Sequence, residues 1–122
     1  MDKIHDSKIL NYRVNFEYLI LEINVENEQS EQIKIIFEDF FVFHFEDELP
    51  KSILLDIVEE DINMFYRENK ELLEKGKDYY WPIDYNNFKE LDNHLKSNNY
   101  RYFKIQSSYG LNGWVLAKEL SL

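Results

Sequence analysis

Apolar and polar residues alternate along residues 19–26, and this period of two is the strongest constraint that the chain places on its fold. Leu21, Ile23 and Val25 share one side of the run, and polar residues fill most of the other. Successive side chains of a β-strand point to opposite faces, so the pattern predicts a half-buried strand. Residues 12–18 alternate with the opposite parity. The change of face near Tyr18 requires a bulge, a bend or two separate strands.

A polar turn at residues 27–31 separates this strand from a second alternating run. The second run keeps one parity through residues 33–45, so a long hairpin is the simplest arrangement. Glu38 and Asp39 interrupt the run, which predicts a bulge there.

The middle of the chain changes to helical spacing. Leu54 and Ile57 begin a stripe of apolar residues three or four apart, which predicts a helix over residues 50–75. A straight helix of that length would measure about 39 Å, more than a domain of this size accommodates. We therefore expect a bend or break within residues 61–69.

Residues typical of helix boundaries support two helices. Pro50 suits the first turn of the first helix, and Gly76 suits the position just past its end. A second helix is predicted over residues 85–97, with Asp84 as its N-cap and residues 98–99 closing it. Its expected inward positions are Phe88, Leu91 and Leu95.

The C-terminal part returns to a period of two. Residues 100–107 predict a strand, and residues 108–113, with two glycines, predict a turn. Residues 114–120 fit a last strand, with a helix as the competing interpretation because their second half consists of good helix formers. The whole predicts one α+β domain over residues 1–122, in which an antiparallel sheet of the N-terminal hairpin and the C-terminal strands carries two helices on one face, in the order ββ–αα–ββ. The residues expected to be largely buried are Leu21, Ile23, Ile35, Phe43, Ile57, Phe65, Leu91 and Phe103.

Negative charge is concentrated in one segment. Residues 17–61 hold 14 acidic and 2 basic residues, a formal charge of −12, whereas the whole chain carries −10. A field of this size attracts a basic partner, which we expect to be a protein, or it serves self-avoidance and solubility in a crowded cytoplasm. The carboxylates expected to be exposed for it are those of Glu38, Asp39, Glu46, Asp47, Glu59 and Glu60.

The aromatic run Tyr79-Tyr80-Trp81-Pro82 has two interpretations. It forms either an aromatic binding edge, in which Tyr80 and Trp81 contact a partner, or a plug at the end of the core. A nucleic-acid platform is not expected, because stacking aromatic side chains work beside a positively charged groove and this chain is acidic.

The sequence contains no signature of an enzyme or of a cofactor. There is no cysteine, and no serine lies in a nucleophile-elbow pattern. His44, Glu46 and Glu48 would share one face of a strand, but we interpret that face as solvated and expect no metal site. The alternative function is a small-ligand or metal-binding domain that uses His44, Glu46 and the aromatic cluster at residues 79–81.

The compartment is predicted mainly from missing signals. The N-terminus lacks the basic start and apolar run of a secretory signal, and no apolar run is long enough for a membrane span. We therefore expect a cytoplasmic protein without membrane contact.

Three segments carry a resemblance to a class of proteins. They are Phe43-His44-Phe45-Glu46-Asp47-Glu48, Tyr102-Phe103-Lys104-Ile105 and Gly113-Trp114-Val115-Leu116-Ala117. With the N-terminal hairpin they resemble small, acidic, uncharacterised bacterial α+β proteins, some of which are similar to toxin-immunity proteins. The resemblance implies a cytoplasmic inhibitor of a toxin, and it transfers no site residues.

Overall fold

The computed structural model describes residues 2–122, and antiparallel strands make up most of the regular structure. A short 3-10 helix at residues 2–4 precedes the first strand. The strands are β1 (Ser7–Asn15), β2 (Ile20–Glu26), β3 (Gln32–Glu38), β4 (Val42–Glu46), β5 (Ile53–Glu60), β6 (Arg101–Tyr109), β7 (Asn112–Ala117) and β8 (Glu119–Ser121), and the helices are α1 (Ile62–Glu68), α2 (Lys70–Lys77) and α3 (Phe88–Ser97).

The sheet curls on itself. Its strand order is β4-β7-β6-β5-β1-β2-β3-β8, with every pairing antiparallel. Only Lys118 separates β7 from β8, although the two strands stand far apart in that order. Strand β7 pairs with β4 and β6, and β8 pairs with β3. Both arrangements are possible because the sheet bends until β3 reaches the end of the β7–β8 segment. There the Lys118 backbone N–H donates a hydrogen bond to the Glu38 carbonyl at 3.1 Å.

The concave face of the curled sheet encloses the larger apolar core. Strands β2 and β3 contribute Leu21, Ile23, Ile35 and Phe37, all fully buried. From β6, Phe103 places its ring 5.6 Å from that of Phe37. The alternating residues of the predicted hairpin therefore fill the interior.

The helices cover the outer face of β4, β7 and β6 and form a second core. Trp114 on β7 lies in this core, with its ring 4.9 Å from that of Phe65 on α1. Leu116 faces the same side, whereas Val115 points into the curled sheet. Strand β7 is thus buried on both faces, which explains its continuous apolar sequence.

The α+β class and the antiparallel sheet with helices packed against it are confirmed, but the order ββ–αα–ββ is too simple. Within residues 2–122, five strands precede the three α-helices, and three strands follow them. The hairpin of β2 and β3 has the predicted turn, and two separate strands explain the change of face near Tyr18. Glu38 and Asp39 mark a true break rather than a bulge, because β4 leaves β3 and pairs with β7. Residues 112–117 and 119–121 are strands, not a helix.

The predicted helix over residues 50–75 is wrong in its first half. Residues 53–60 form β5, and its register against β6 shifts on both sides of Leu54. Leu55 is the extra residue of a bulge, so Leu54 and Ile57 are both buried although they are three positions apart. A bulge therefore reproduced the spacing of a helix.

The expected break in the first helix is confirmed within residues 61–69. Asp61 caps α1 by accepting a hydrogen bond from the Asn63 backbone N–H at 2.8 Å, and Asn69 separates α1 from α2. The predicted position of Gly76, just past the end of the helix, is wrong. Gly76 lies inside α2.

The second predicted helix, α3, begins later than expected. Asn87 rather than Asp84 is its N-cap, and its side-chain oxygen accepts a hydrogen bond from the Glu90 N–H at 3.1 Å. Phe88, the first residue of α3, is 56% exposed rather than inward, although its ring packs edge-on against that of Tyr66 at 4.7 Å. The predicted C-terminus is confirmed, with Asn99 in the left-handed region at φ 59°. Of the residues expected in the core, Phe43 is only half-buried, and the remaining ones are buried: Leu21, Ile23, Ile35, Ile57, Phe65, Leu91 and Phe103.

Candidate binding surface

An open apolar groove of about 280 Å³ lies where three connections of the chain meet. The β1–β2 turn forms one side, the β3–β4 connection and the start of β4 form the floor, and the segment after α2 forms the other side. The lining residues are Phe16, Leu19, Phe40, Phe41, Val42, Phe43 and Trp81.

The β1–β2 turn is held in place by local hydrogen bonds. The Asn15 side-chain oxygen accepts from the backbone N–H groups of Glu17 at 3.0 Å and Tyr18 at 2.9 Å. The Leu19 carbonyl accepts from the backbone N–H of Phe40 at 3.0 Å, which ties the turn to the floor of the groove. Phe16 is nevertheless 73% exposed. The turn therefore presents an aromatic side chain to solvent from a fixed backbone.

The floor of the groove is aromatic and continuous with the core. Phe40 is 5% exposed, and its ring meets those of Phe16 and Phe43 edge-on at 6.2 and 5.8 Å. Edge-to-face contacts of this kind stabilise aromatic pairs beyond the area that they bury. The exposed Phe16 thus stands on a rigid base.

The opposite side of the groove is formed by the segment that ends α2. The Gly76 carbonyl accepts hydrogen bonds from the N–H groups of Tyr79 and Trp81, both at 2.9 Å. Trp81 is half-buried and packs into the second core, with its ring 6.2 Å from that of Trp114. Tyr79 and Tyr80 are 82% and 69% exposed. The aromatic run therefore divides, with Trp81 in the groove wall and the two tyrosines in solvent.

Two of the predicted binding carboxylates adjoin the groove. Glu38 ends β3 and Asp39 directly precedes Phe40, and both are exposed. Asp39 has a left-handed backbone, φ 51°, which Asp tolerates better than most residues. Burial, with the Asp39 charge as a second cause, raises the pKa of Tyr100. Within residues 2–122, no cation forms an ion pair with either carboxylate.

Glu46 and Asp47 lie at the other end of β4. From Val42 to Glu46 the strand extends about 14 Å at 3.4 Å per residue, so these carboxylates are not part of the groove. Glu46 Oε1 lies 3.1 Å from His44 Nε2, and Asp47 is exposed at a left-handed turn, φ 54°. The predicted carboxylates therefore form separate groups rather than one surface.

The third predicted pair, Glu59 and Glu60, ends β5 rather than lying on a helix. Arg101 binds the Glu59 carboxylate with two nitrogens at 2.7 and 3.0 Å, and these hydrogen bonds lower the pKa of Glu59. Glu60 is half-buried opposite Tyr102, so its expected exposure is wrong. Glu59 is already neutralised within the chain, which makes it a poor contact for a basic partner.

A second cleft, of about 480 Å³, lies beside His44 and Glu46 at the junction of α1 and α2. Its lining mixes cations and carboxylates, including Arg67 and Lys70. Glu48 lies outside it, because β4 ends at Glu46, and instead accepts a hydrogen bond from the Tyr12 hydroxyl. That bond, aided by burial, raises the pKa of Tyr12 to about 12. Among residues 2–122 no three His, Cys, Asp or Glu side chains are grouped to hold a metal ion.

Searches against protein-family models, curated proteins and solved structures give no match to the chain. The resemblance to toxin-immunity proteins therefore stays a prediction. In that part of the chain no helix is long and apolar enough to cross a membrane, the longest having 10 residues.

Proposed function

We propose that this protein is a non-enzymatic, acidic binding module for a basic protein, of the inhibitor or immunity type, and that it acts in the cytoplasm. The observation that carries the proposal is the presence of exposed carboxylates without ion pairs at both ends of β4. Glu38 and Asp39 lie at one end and Asp47 at the other, and within residues 2–122 none has a cationic partner.

The charge of the surrounding chain supports this proposal. Residues 17–61 carry 14 acidic and 2 basic residues, and they form β2 to β5 with their connections. Charges left unpaired at a surface act over about 8–10 Å at physiological ionic strength and accelerate encounter with a partner of opposite sign. Nucleic acid would be repelled by the same field. We therefore propose a protein partner and no nucleic-acid partner.

The experiment is capture of the partner from the native cytoplasm, followed by association kinetics with the purified pair. We expect an association rate above the unsteered range of about 10⁵–10⁶ M⁻¹s⁻¹ that falls steeply as salt is added. A double substitution, Glu38→Gln with Asp39→Asn, should slow association while stability changes little. Glu71→Gln with Glu74→Gln is the matched control, because it also removes two charges and both residues are exposed on α2, outside the acidic segment. A rate that is insensitive to both salt and the double substitution would contradict the proposal.

A small-ligand domain is the second candidate, and the cleft beside His44 and Glu46 is the observation that favours it. The cleft offers cationic and anionic groups within one cavity, which suits a small polar molecule better than an apolar one. Trp81 does not contribute, since it lines the groove instead. Calorimetric titration with Zn²⁺ and with small anions, repeated on His44→Ala, tests this candidate. Binding that His44→Ala abolishes would support it.

A further inference from the structure

We propose that the apolar groove is the docking site for an extended basic segment of the partner, which inserts one aromatic side chain between Phe16 and Trp81. This inference rests on the proposed function and specifies where and by what chemistry the partner is held. The groove is walled by three connections, and Phe16 in one of them is 73% exposed although it stands on a buried aromatic floor.

Backbone conformation at the walls is the first argument. Leu19 and Tyr80 have left-handed backbones, φ 57° and 59°, and the remaining non-glycine residues with positive φ are Asp, Ser, Lys or Asn. A left-handed backbone costs a non-glycine residue about 1–2 kcal/mol, and large side chains are unusual there. Leu19 lines the groove, and Tyr80 directly precedes Trp81 in its wall. Strained positions of this kind cluster at ligand-binding sites.

The termini of two helices allow a direct comparison. The N–H of Trp81 bonds to the Gly76 carbonyl, and the N–H of Tyr80 to the Lys77 carbonyl, which is the Schellman arrangement. Helix α3 ends identically, with Asn99 in the left-handed position that Tyr80 occupies after α2. Asn and Gly are the residues suited to this position. A 69% exposed tyrosine there contributes little packing to the fold, so a role in binding explains its side chain better.

Charge identifies the flanks of the ligand. Glu17 lies next to Phe16, and Glu38 and Asp39 precede the floor; all three are exposed and have no ion pair within residues 2–122. The cations of the neighbouring elements include Arg13 on β1, Lys75 and Lys77 in the last turn of α2, and Lys118. Lys77 Nζ donates a hydrogen bond to the Asn86 carbonyl at 3.0 Å. Lys118 lies over the Tyr100 ring at 5.5 Å rather than against a carboxylate. The acidic flanks around an apolar groove fit lysine or arginine on both sides of an aromatic anchor.

The rigid walls add to the affinity for such a segment. The hydrogen bonds of Asn15 to the turn and of Phe40 to Leu19 fix the groove before a ligand arrives. Binding to a preformed surface avoids part of the entropy cost of ordering loops and side chains. A short extended segment with one anchoring side chain is therefore enough to bind the groove.

The test uses three synthetic heptapeptides and the full chain labelled with ¹⁵N. The first peptide has a central phenylalanine with three lysines on each side, the second replaces phenylalanine by alanine, and the third replaces the lysines by glutamates. We expect the first peptide to shift the amide signals of the groove residues and to bind at least tenfold more tightly than the other two. Its affinity should fall as salt rises from 50 to 500 mM.

Substitutions then locate the contact. Phe16→Ala should weaken binding of the first peptide at least fivefold, and Asp39→Asn should weaken it and flatten the salt dependence. Asn keeps the left-handed backbone at position 39, so this change removes only the charge. Tyr109→Ala is the control, because Tyr109 is a 53% exposed aromatic residue at the β6–β7 turn that does not line the groove. It should bind as the parent does.

Three results would overturn the inference. They are no binding of the first peptide at millimolar concentration, equal binding of the alanine peptide, and groove shifts that follow protein concentration without peptide, which would make a second copy the occupant. The proposed function is judged separately. A captured partner whose association depends on salt and on Glu38 and Asp39, but not on Phe16, would leave that function standing and exclude this groove.

Discussion

Gly76 lies directly against the indole ring of Trp81. A Cβ atom at Gly76 would come within 2.5 Å of Trp81 Cε3 and 2.9 Å of the Trp81 carbonyl oxygen. The same glycine accepts the Trp81 N–H through its own carbonyl. Tertiary packing therefore explains why glycine occurs inside α2, because the absence of a side chain leaves room for Trp81 in the groove wall.

The first prediction concerns this contact. Gly76→Ala should lower stability by about 1–3 kcal/mol, because overpacking against backbone outweighs the gain of about 1 kcal/mol in helix propensity. The indole N–H signal of Trp81 should shift in the NMR spectrum. Lys75→Ala, an exposed change in the same helix, should stay within about 0.5 kcal/mol of the parent. A more stable Gly76→Ala would show that the Trp81 side chain moves aside at little cost in free energy.

The second prediction separates two phenylalanines that both lie opposite Val115. Phe103 on β6 and Phe43 on β4 are its cross-strand neighbours on either side of β7. Phe103 is 1% exposed and Phe43 is half-buried. Phe103→Ala should cost about 3–5 kcal/mol in urea denaturation, and Phe43→Ala less. Equal costs would mean that the two positions are packed alike.

Local pattern predicted the elements whose periodicity comes from one buried face. Strands β2 and β3 alternate cleanly because one face is solvated, and α3 shows Leu91 and Leu95 at helical spacing. Strand β5 was missed because a bulge at Leu55 is defined only against β6, a strand about 50 residues later in the chain. The pairing of β4 with β7 is equally non-local, so no pattern near Asp39 shows where the chain goes next.

The candidate site was predicted in fragments. The sequence indicated Asp39 and Trp81 separately, through charge and aromatic content, and gave no sign that they adjoin one groove. Phe16 was missed entirely, since its alternation with neighbouring residues suggested an ordinary strand position. Two sequence features could have identified the turn that carries Phe16. They are Asn15, which favours a turn, and the change of parity that ends β1.

The third prediction follows from the hydrogen bond that joins α1 to α3. The Tyr66 hydroxyl donates to Asp92 Oδ1 at 2.7 Å, and this bond, assisted by Lys96, lowers the pKa of Asp92 below its usual 3.8. A lowered pKa contributes stability above the unfolded value and loses it as the pH falls through the folded value. Tyr66→Phe should therefore cost about 1 kcal/mol at pH 7.

The difference between Tyr66→Phe and the parent should shrink as the pH falls from about 3.8, the ordinary pKa of Asp, through the lower pKa that Asp92 has in the folded protein. Urea denaturation at several pH values from 7 down to 2 measures it. Tyr85→Phe is the control, because Tyr85 is also a half-buried tyrosine beside these helices. A constant difference across the whole pH range would show that the bond does not depend on the Asp92 charge.

The last prediction tests whether Tyr80 is kept at a cost to stability. Its left-handed backbone costs about 1–2 kcal/mol as a tyrosine, and glycine removes that strain while adding about 0.5–1 kcal/mol of unfolded-chain entropy. Tyr80→Gly should therefore be as stable as the parent or up to about 1.5 kcal/mol more stable. Tyr80→Asn, which copies Asn99 at the end of α3, should be stabilised as well.

Tyr79 supplies the matched control, because it is 82% exposed, adjacent, and absent from the positive-φ positions. Tyr79→Gly should lower stability by about 0.5–1 kcal/mol, since glycine there adds unfolded-chain entropy and no backbone strain is relieved. Thermal and urea denaturation of Tyr79→Gly and Tyr80→Gly give the comparison. Equal losses would remove the strain argument. A stabilised Tyr80→Gly that binds the lysine–phenylalanine peptide more weakly would show that this tyrosine is retained for binding at the expense of the fold.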